Sequence, residues 1–321
     1  MARLRLPFPT RPQRRGSYRS RSGRDPFGVG RQRQEASPSR SRGNNGLKMR
    51  LLIALGLAIF ALISYYGNPG DRNQITGEVE RVAMPEEKDE EALGLQAVPQ
   101  MAQQHGGLSP DRGARAHVND IGAQLLAGLQ RYIDQERKST GEEFVNPYNF
   151  DFHLLADRRT VNAFALPGGQ VFITEALYRR LGSDGQLAGV LGHEIGHVIE
   201  RHGNKRMAQQ RLFSGLATAA GTAGGDANSV RMAQSVAQMV QMKYGREDEL
   251  ESDKWGVRLL YLADYDPRAM IEVMHVLDEA SPGGGPPEML STHPKPANRV
   301  QYIQRVIAEE FPNGVPGDLR Q

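Results

Sequence analysis

Apolar residues are spaced differently in successive stretches of this chain, and the spacing predicts different elements. Residues 51–66, LLIALGLAIFALISYY, form an apolar or weakly polar block inside an uncharged run that extends to Gly70. The block offers no polar face, so it suits hydrocarbon better than the core of a soluble domain. At about 1.5 Å of rise per residue it spans roughly 24 Å, slightly less than a bilayer core of about 30 Å. Lys48 and Arg50 before it can snorkel, and Tyr65 and Tyr66 suit the interface. A cleaved signal peptide fits less well, because the segment before the block is too long and no A-x-A-like site follows. An uncleaved signal anchor over 51–66 is the expectation.

Residues 67–107 are polar, with Glu86, Glu87, Asp89, Glu90 and Glu91 clustered, and read as an acidic linker with at most a short helix. From His117 to about residue 138 the spacing of Val118, Ile121, Leu125, Leu129 and Ile133 predicts a helix. Residues 150–156 and 161–174 alternate like strands around Pro167, Gly168 and Gly169, which supply turn chemistry for a hairpin. Helical spacing resumes after Ser183, with Gln186 placed to complete a capping box. Further helices are predicted near 205–220, 229–244, 247–263, 267–279 and 296–310, with the loop SPGGGPP before the last. The Ala/Gly-rich stretch 212–225 is too short and broken to cross a membrane and reads as a mobile or lipid-touching loop. Met232, Met239 and Met242 read as core. The fold class expected is α+β and mainly helical, with a small hairpin sheet beside the central helix and one transmembrane helix ahead of it.

Charge divides the chain at the same boundary. Thirteen Arg and one Lys stand against Asp25 and Glu35 in residues 1–50, a net of +12, and since the 321 residues sum to +3 the remainder carries −9. The first 50 residues are rich in Pro, Gly and Ser, lack apolar periodicity, and read as a basic disordered tail. Its arginines predict a cytoplasmic N-terminus, with residues 108–321 across the membrane. Phe8, Tyr18 and Phe27 are too few for base stacking, so nucleic acid is not an expected partner, whereas the lipid bilayer is. Cysteine is absent, which excludes disulfide scaffolds, thiolate metal sites and cysteine nucleophiles. Any metal must be held by His and carboxylates.

HEIGH, on the helix after Ser183, places His193 and His197 four residues apart. That spacing turns both imidazoles toward one point, as two corners of a tetrahedral zinc site require, with Glu194 beside them as a general base for water. A third ligand must come from elsewhere, because Glu200 and Gly203 stand where a metzincin continuation needs Gly and His. His202, five residues beyond His197, would lie about 140° around a continuous helix and is expected to point away. In REDELESDKWG, Glu249 and Asp253 share a helical face, so Glu249 could ligate and Asp253 could bond a ligand imidazole.

HEIGHVIERH, followed by ELESD and then STHPKPANR, resembles the zinc metallopeptidases of the HtpX, Ste-type and BepA/LoiP group. The resemblance covers about residues 108–310 and includes NAFALPGGQVFIT, similar to the family's strand beside the cleft. It implies a zincin-like domain holding one zinc through His193, His197 and Glu249, with Glu194 as base and Asp253 and Arg299 as supporting residues. By the same resemblance His293 would plug the zinc or polarise substrate, and Asn162, Ala163 and Phe164 would bind an extended substrate strand. The chain lacks the several spans of the HtpX-like members, so a compact, singly anchored member is expected.

The function this implies is a membrane-anchored endopeptidase acting on unfolded or misassembled envelope proteins. The alternative is a largely latent, zinc-plugged assembly factor. A bacterial cytoplasmic membrane is the expected location, with the catalytic domain outside the cytoplasm. The Arg- and Ser-rich leader keeps the mitochondrial inner membrane as the alternative.

Overall fold

The computed structural model describes residues 43–224, 245–280, 289, 293 and 298–321. The basic tail up to residue 42, the helix expected at 229–244 with its three methionines, and the SPGGGPP loop lie outside the described residues.

Helix α1 (Gly43–Tyr66) starts well before the apolar block and is long and apolar enough to cross a membrane, with a mean hydropathy of 2.1 over an 18-residue stretch within Asn45–Tyr66. Leu52, Phe60 and Ile63 on its surface are more than 60% exposed, whereas Ala54 and Ala61 are buried.

Residues 67–107 are not a linker. Strands β1 (Asp71–Arg72) and β2 (Val79–Glu80) pair antiparallel, and α2 (Glu87–Gln104) docks on the main body. Glu87, Asp89 and Glu90 occupy the first turn of α2, where negative charge opposes the helix dipole favourably. Glu90 is buried against Arg201, which pairs with Asp71 and donates to the carbonyls of Met84 and Pro85. Polar composition concealed this docking because the attachment is itself polar: Asn73 Nδ2 also donates to Ile199 O at 2.7 Å.

Helix α3 (Arg112–Thr140) is capped by Asp111, which accepts from Ala114 N, and ends at Gly141 in the left-handed region. It buries the predicted stripe of Val118, Ile121, Leu125, Leu129 and Ile133. The sheet has β3 (Asp151–Leu155), β4 (Ala163–Leu166) and β5 (Gln170–Thr174) in the order β3-β5-β4. The expected hairpin is the antiparallel β4–β5 pair, turned by Gly168 and Gly169 at positive φ. Strand β5 is buried throughout and also pairs parallel with β3, leaving β4 on the edge. A short α4 (Glu175–Tyr178) leads to α5 (Asp184–Ile199), the central helix.

Helix α6 (His202–Gly224) replaces the loop expected at 212–225 with an ordered element as far as Gly224, and it packs along α1. Small residues make this possible: a Cβ placed on Gly215 would come within 2.7 Å of Ala61 Cβ. Helices α7 (Arg246–Leu262), α8 (Ala269–Glu279) and α9 (Arg299–Glu310) complete the described fold. The core is one apolar cluster joining α3, the sheet, α5, α7, α8 and α9. The architecture is α+β and mainly helical.

Candidate metal centre

Helix α5 begins at Ser183, whose side chain accepts from Gln186 N. Gln186 Oε1 accepts from Gly182 N at 2.7 Å, one residue before the reciprocal bond of a capping box. Every residue of α5 from Leu187 onward is buried. Two glycines allow α7 to approach it closely. A Cβ on Gly192 would lie 3.4 Å from Gly256 Cα, and one on Gly196 would lie 3.0 Å from Ser252 Cα. The backbones nearly touch, and that contact carries Glu249 and Asp253 on α7 to the imidazoles of α5.

His193 Nε2 and His197 Nε2 lie 3.1 Å apart, and each is 3.6 Å from an oxygen of Glu249. Donors about 2.1 Å from a tetrahedral centre sit about 3.4 Å from one another, so the spacing fits a zinc-sized cation. His293 joins them: the donor atoms of His193, His197, Glu249 and His293 all lie within 4.8 Å of one another, and all four residues are buried. His293 Nδ1 is 2.9 Å from Glu249 Oε1. Glu194 is fully buried, and neither of its carboxylate oxygens has a hydrogen-bond partner among the described residues. His293 Nε2 lies 3.8 Å from one of those oxygens.

Both imidazoles of α5 are held from behind. Asp253 Oδ1 lies 3.1 Å from His193 Nδ1, and Arg299, at the start of α9, grips Asp253 through Nε and Nη2 while its Nη1 donates to Glu249 at 3.0 Å. His197 Nδ1 meets His202 Nδ1 at 2.9 Å, and His202 Nε2 reaches Glu251 at 2.9 Å. His202 therefore faces the site, contrary to the helical-wheel expectation. The reason is local: α5 ends at Ile199, and Arg201 adopts φ 51°, so α6 starts on a new axis with His202 turned back.

Burial sets the protonation pattern. It would lower the pKa of His193, but the bonds to Asp253 and Glu249 outweigh it and push His193 up to about 9. His197 is held well below its ordinary value by burial first, and by the neighbouring imidazoles and Arg299. Burial raises Glu194, with His293 and His193 opposing. Burial would also raise Glu249 and Asp253, yet His293 and His193 keep the first low and Arg299 the second.

Asn162 and Ala163 are buried at the start of the edge strand, and half-buried Phe164 stacks on Phe172 at 4.8 Å between ring centroids. At the far end of β4, Ala165, Leu166 and Pro167 share a small pocket with His197. A groove of about 350 Å³ adjoins it, between α2, Pro167 and Met207 of α6. His293 N donates to Met289 O and Met289 N to Val161 O, which ties His293 to the entry of β4. The sequence reading missed His202, Glu251 and Arg201. HEIGHVIERH contains two of them, but only a break after Ile199 gives them their roles.

Residues 129–307 match the profile of Peptidase family M48. The beta-barrel assembly-enhancing protease of Escherichia coli is 31% identical over 201 residues, 59% of this chain and 40% of that protein. The Yersinia pestis protein of the same name is 34% identical over 196 residues, 57% of this chain and 37% of that protein. The human mitochondrial metalloendopeptidase OMA1 is 31% identical over 177 residues, 51% and 34% respectively. The chain thus spans two fifths or less of the length of these relatives.

Proposed function

The chain belongs to peptidase family M48, whose members are zinc metallopeptidases, and from that membership we propose a zinc-dependent endopeptidase, anchored in a membrane by α1, that cuts unfolded or misassembled proteins there. One observation carries the reading: three buried donors at tetrahedral spacing, with a donor atom of His293 within 4.8 Å of each, lie beside a carboxylate whose two oxygens have no hydrogen-bond partner among the described residues. In this reading His193, His197 and Glu249 hold one zinc per chain. Zinc, when bound, supplies Lewis acidity that polarises a peptide carbonyl and brings the ionisation of water toward neutral pH.

The chain's own residues handle the protons and the positioning. Glu194, kept basic by burial, accepts the proton of the attacking water and returns it to the leaving amine. Asp253, fixed by Arg299, orients His193, and His202 orients His197. Substrate adds as an extended strand along β4 through backbone bonds, beginning at Asn162, Ala163 and Phe164 and reaching Ala165 beside His197. The name of the bacterial relatives, beta-barrel assembly-enhancing protease, supports envelope proteins as clients, and α1 with the basic segment before it supports a bacterial cytoplasmic membrane as the location. The mitochondrial relative keeps the alternative of the mitochondrial inner membrane.

Glu194→Gln tests the mechanism. The variant should retain zinc and lose cleavage of a denatured protein by about 10²- to 10⁴-fold. Undiminished turnover refutes Glu194 as the base.

The position of His293 favours a second reading. Catalytic zinc sites keep one position open, whereas four protein donors close the shell. With His293 as the fourth donor the chain is a latent, plugged assembly factor that holds clients without cutting them. His293→Ala should then raise turnover, and a loss of turnover would return His293 to a role on substrate.

A further inference from the structure

Helix α6 leads from the His cluster to α1. It begins at His202 beside His197, and after Arg211 it carries no charge through its described end: residues 212–224 read LFSGLATAAGTAG. Its early residues lie beside the chain that follows α1, since Asn204 bonds the backbone of Ala83 and Met84 and Arg211 Nη1 donates to Ala83 O at 2.8 Å. Its middle lies against α1 itself at Gly215 and Ala61. The helix therefore leaves the domain at the C-terminal end of α1 and runs back along it. Gly224, nine residues beyond Gly215, falls level with Leu52, nine residues before Ala61. The charge-free run of α6 thus covers the depth of the charge-free block of α1.

Three further observations suit that depth. Two of the three hydroxyls in this run are satisfied within the helix, Thr218 Oγ1 donating to Ser214 O and Thr222 Oγ1 to Thr218 O, both at 2.8 Å, and the third, on Ser214, lies within one turn of the boundary at Arg211. Hydrocarbon demands this of polar groups, and water does not. Phe213 is 39% exposed on the same helix. The boundary is also marked: Arg211 lies where the charge-free run starts, and at the same level the Arg81 guanidinium sits 5.8 Å from the Tyr66 ring, with Tyr65 adjacent. Arginine and tyrosine together are the residues of a membrane interface. The close approach at Gly215 and Ala61 is the packing that holds helices together in lipid.

We propose that residues 212–224 of α6 are embedded in the bilayer against α1, with lipid hydrocarbon as the partner of Phe213, Thr218 and Ala220. The inference rests on the reading of α1 as a membrane anchor. Among the described residues α1 alone is long and apolar enough to cross by itself. Helix α6 is held at depth by its contact with α1 and by its continuity with the domain.

The absence of cysteine permits a direct test. Single substitutions Phe213→Cys, Thr218→Cys and Ala220→Cys on α6, Ile59→Cys on α1 and Gln209→Cys above the boundary all fall at exposed positions, where labelling perturbs packing least. The full chain, nitroxide-labelled at each and reconstituted into phosphatidylcholine and phosphatidylglycerol vesicles, is relaxed by oxygen or by a water-soluble nickel chelate. The α6 probes and Ile59 should respond several-fold more to oxygen than to nickel, and Gln209 the reverse. Nickel-accessible α6 probes with Ile59 in hydrocarbon overturn the embedding and leave the anchor standing. Nickel access at Ile59 as well removes the anchor and the embedding together.

Discussion

Arg299 grips Asp253 with two parallel hydrogen bonds, Nε to Oδ2 at 2.8 Å and Nη2 to Oδ1 at 2.6 Å, in a pair closed off from solvent. Its third nitrogen serves Glu249. One cation thus neutralises two buried carboxylates on α7 and fixes the start of α9 to the metal centre. Arg299→Met leaves both carboxylates buried without that partner and should cost about 3–5 kcal/mol in chemical denaturation. Arg299→Lys should recover only part, because an ammonium cannot reproduce the planar fork. A loss under about 1 kcal/mol for the Met variant would contradict the assignment.

His202 is expected to act through His197. His202→Phe keeps an aromatic ring and removes the bond to His197 Nδ1, so zinc affinity should fall about 10- to 100-fold while the melting transition stays cooperative. Competition with a chromophoric chelator measures this, and unchanged affinity would limit His202 to packing. Glu251→Gln, half-exposed and one bond further out, should have a smaller effect.

Metal removal should destabilise the fold as well as stop catalysis, because the donors are buried and converge only in the native state. Chelator should lower the melting temperature, and zinc at about 100 times its dissociation constant should restore about 2.7 kcal/mol. Magnesium, which prefers six oxygen ligands, should not. A melting temperature indifferent to zinc would argue that the cluster is a hydrogen-bonded core feature.

Asp157 gives a pH-dependent test away from the centre. Burial would raise its pKa, but bonds from Thr160, Arg159 and His105 outweigh this and hold it below its ordinary value of 3.8. A depressed carboxyl stabilises the fold above its unfolded value, and the contribution disappears as pH falls toward the folded value. Asp157→Asn should therefore cost about 1–3 kcal/mol at pH 6 and progressively less below pH 3.8. An equal penalty at both pH values would assign the effect to geometry alone.

Much of the centre was legible because its signals are local. His193, Glu194 and His197 declare themselves by helical spacing, and the stripe from Val118 to Ile133 folds as its period predicts. What escaped depends on contacts between distant segments. Arg201 reads as a surface residue until Glu90 and Asp71 close on it, and those two acids sit in the stretch whose polarity suggested a linker. His202 was misplaced because the wheel assumed an unbroken helix, whereas a residue at positive φ interrupts it. The parallel pairing of β3 with β5 and the seating of α6 on α1 likewise have no local signature.

Continuity of α6 also fixes a height. Ten residues separate His202 from Leu212, about 15 Å of unbroken helix. With the charge-free half seated in lipid, that strut holds the scissile position no more than about 15 Å above the edge of the hydrocarbon, the reach of four or five extended residues. Cleavage positions in a client emerging from the bilayer would then be counted in residues from the membrane surface, with the geometry of the strut selecting the bond before side-chain preference does.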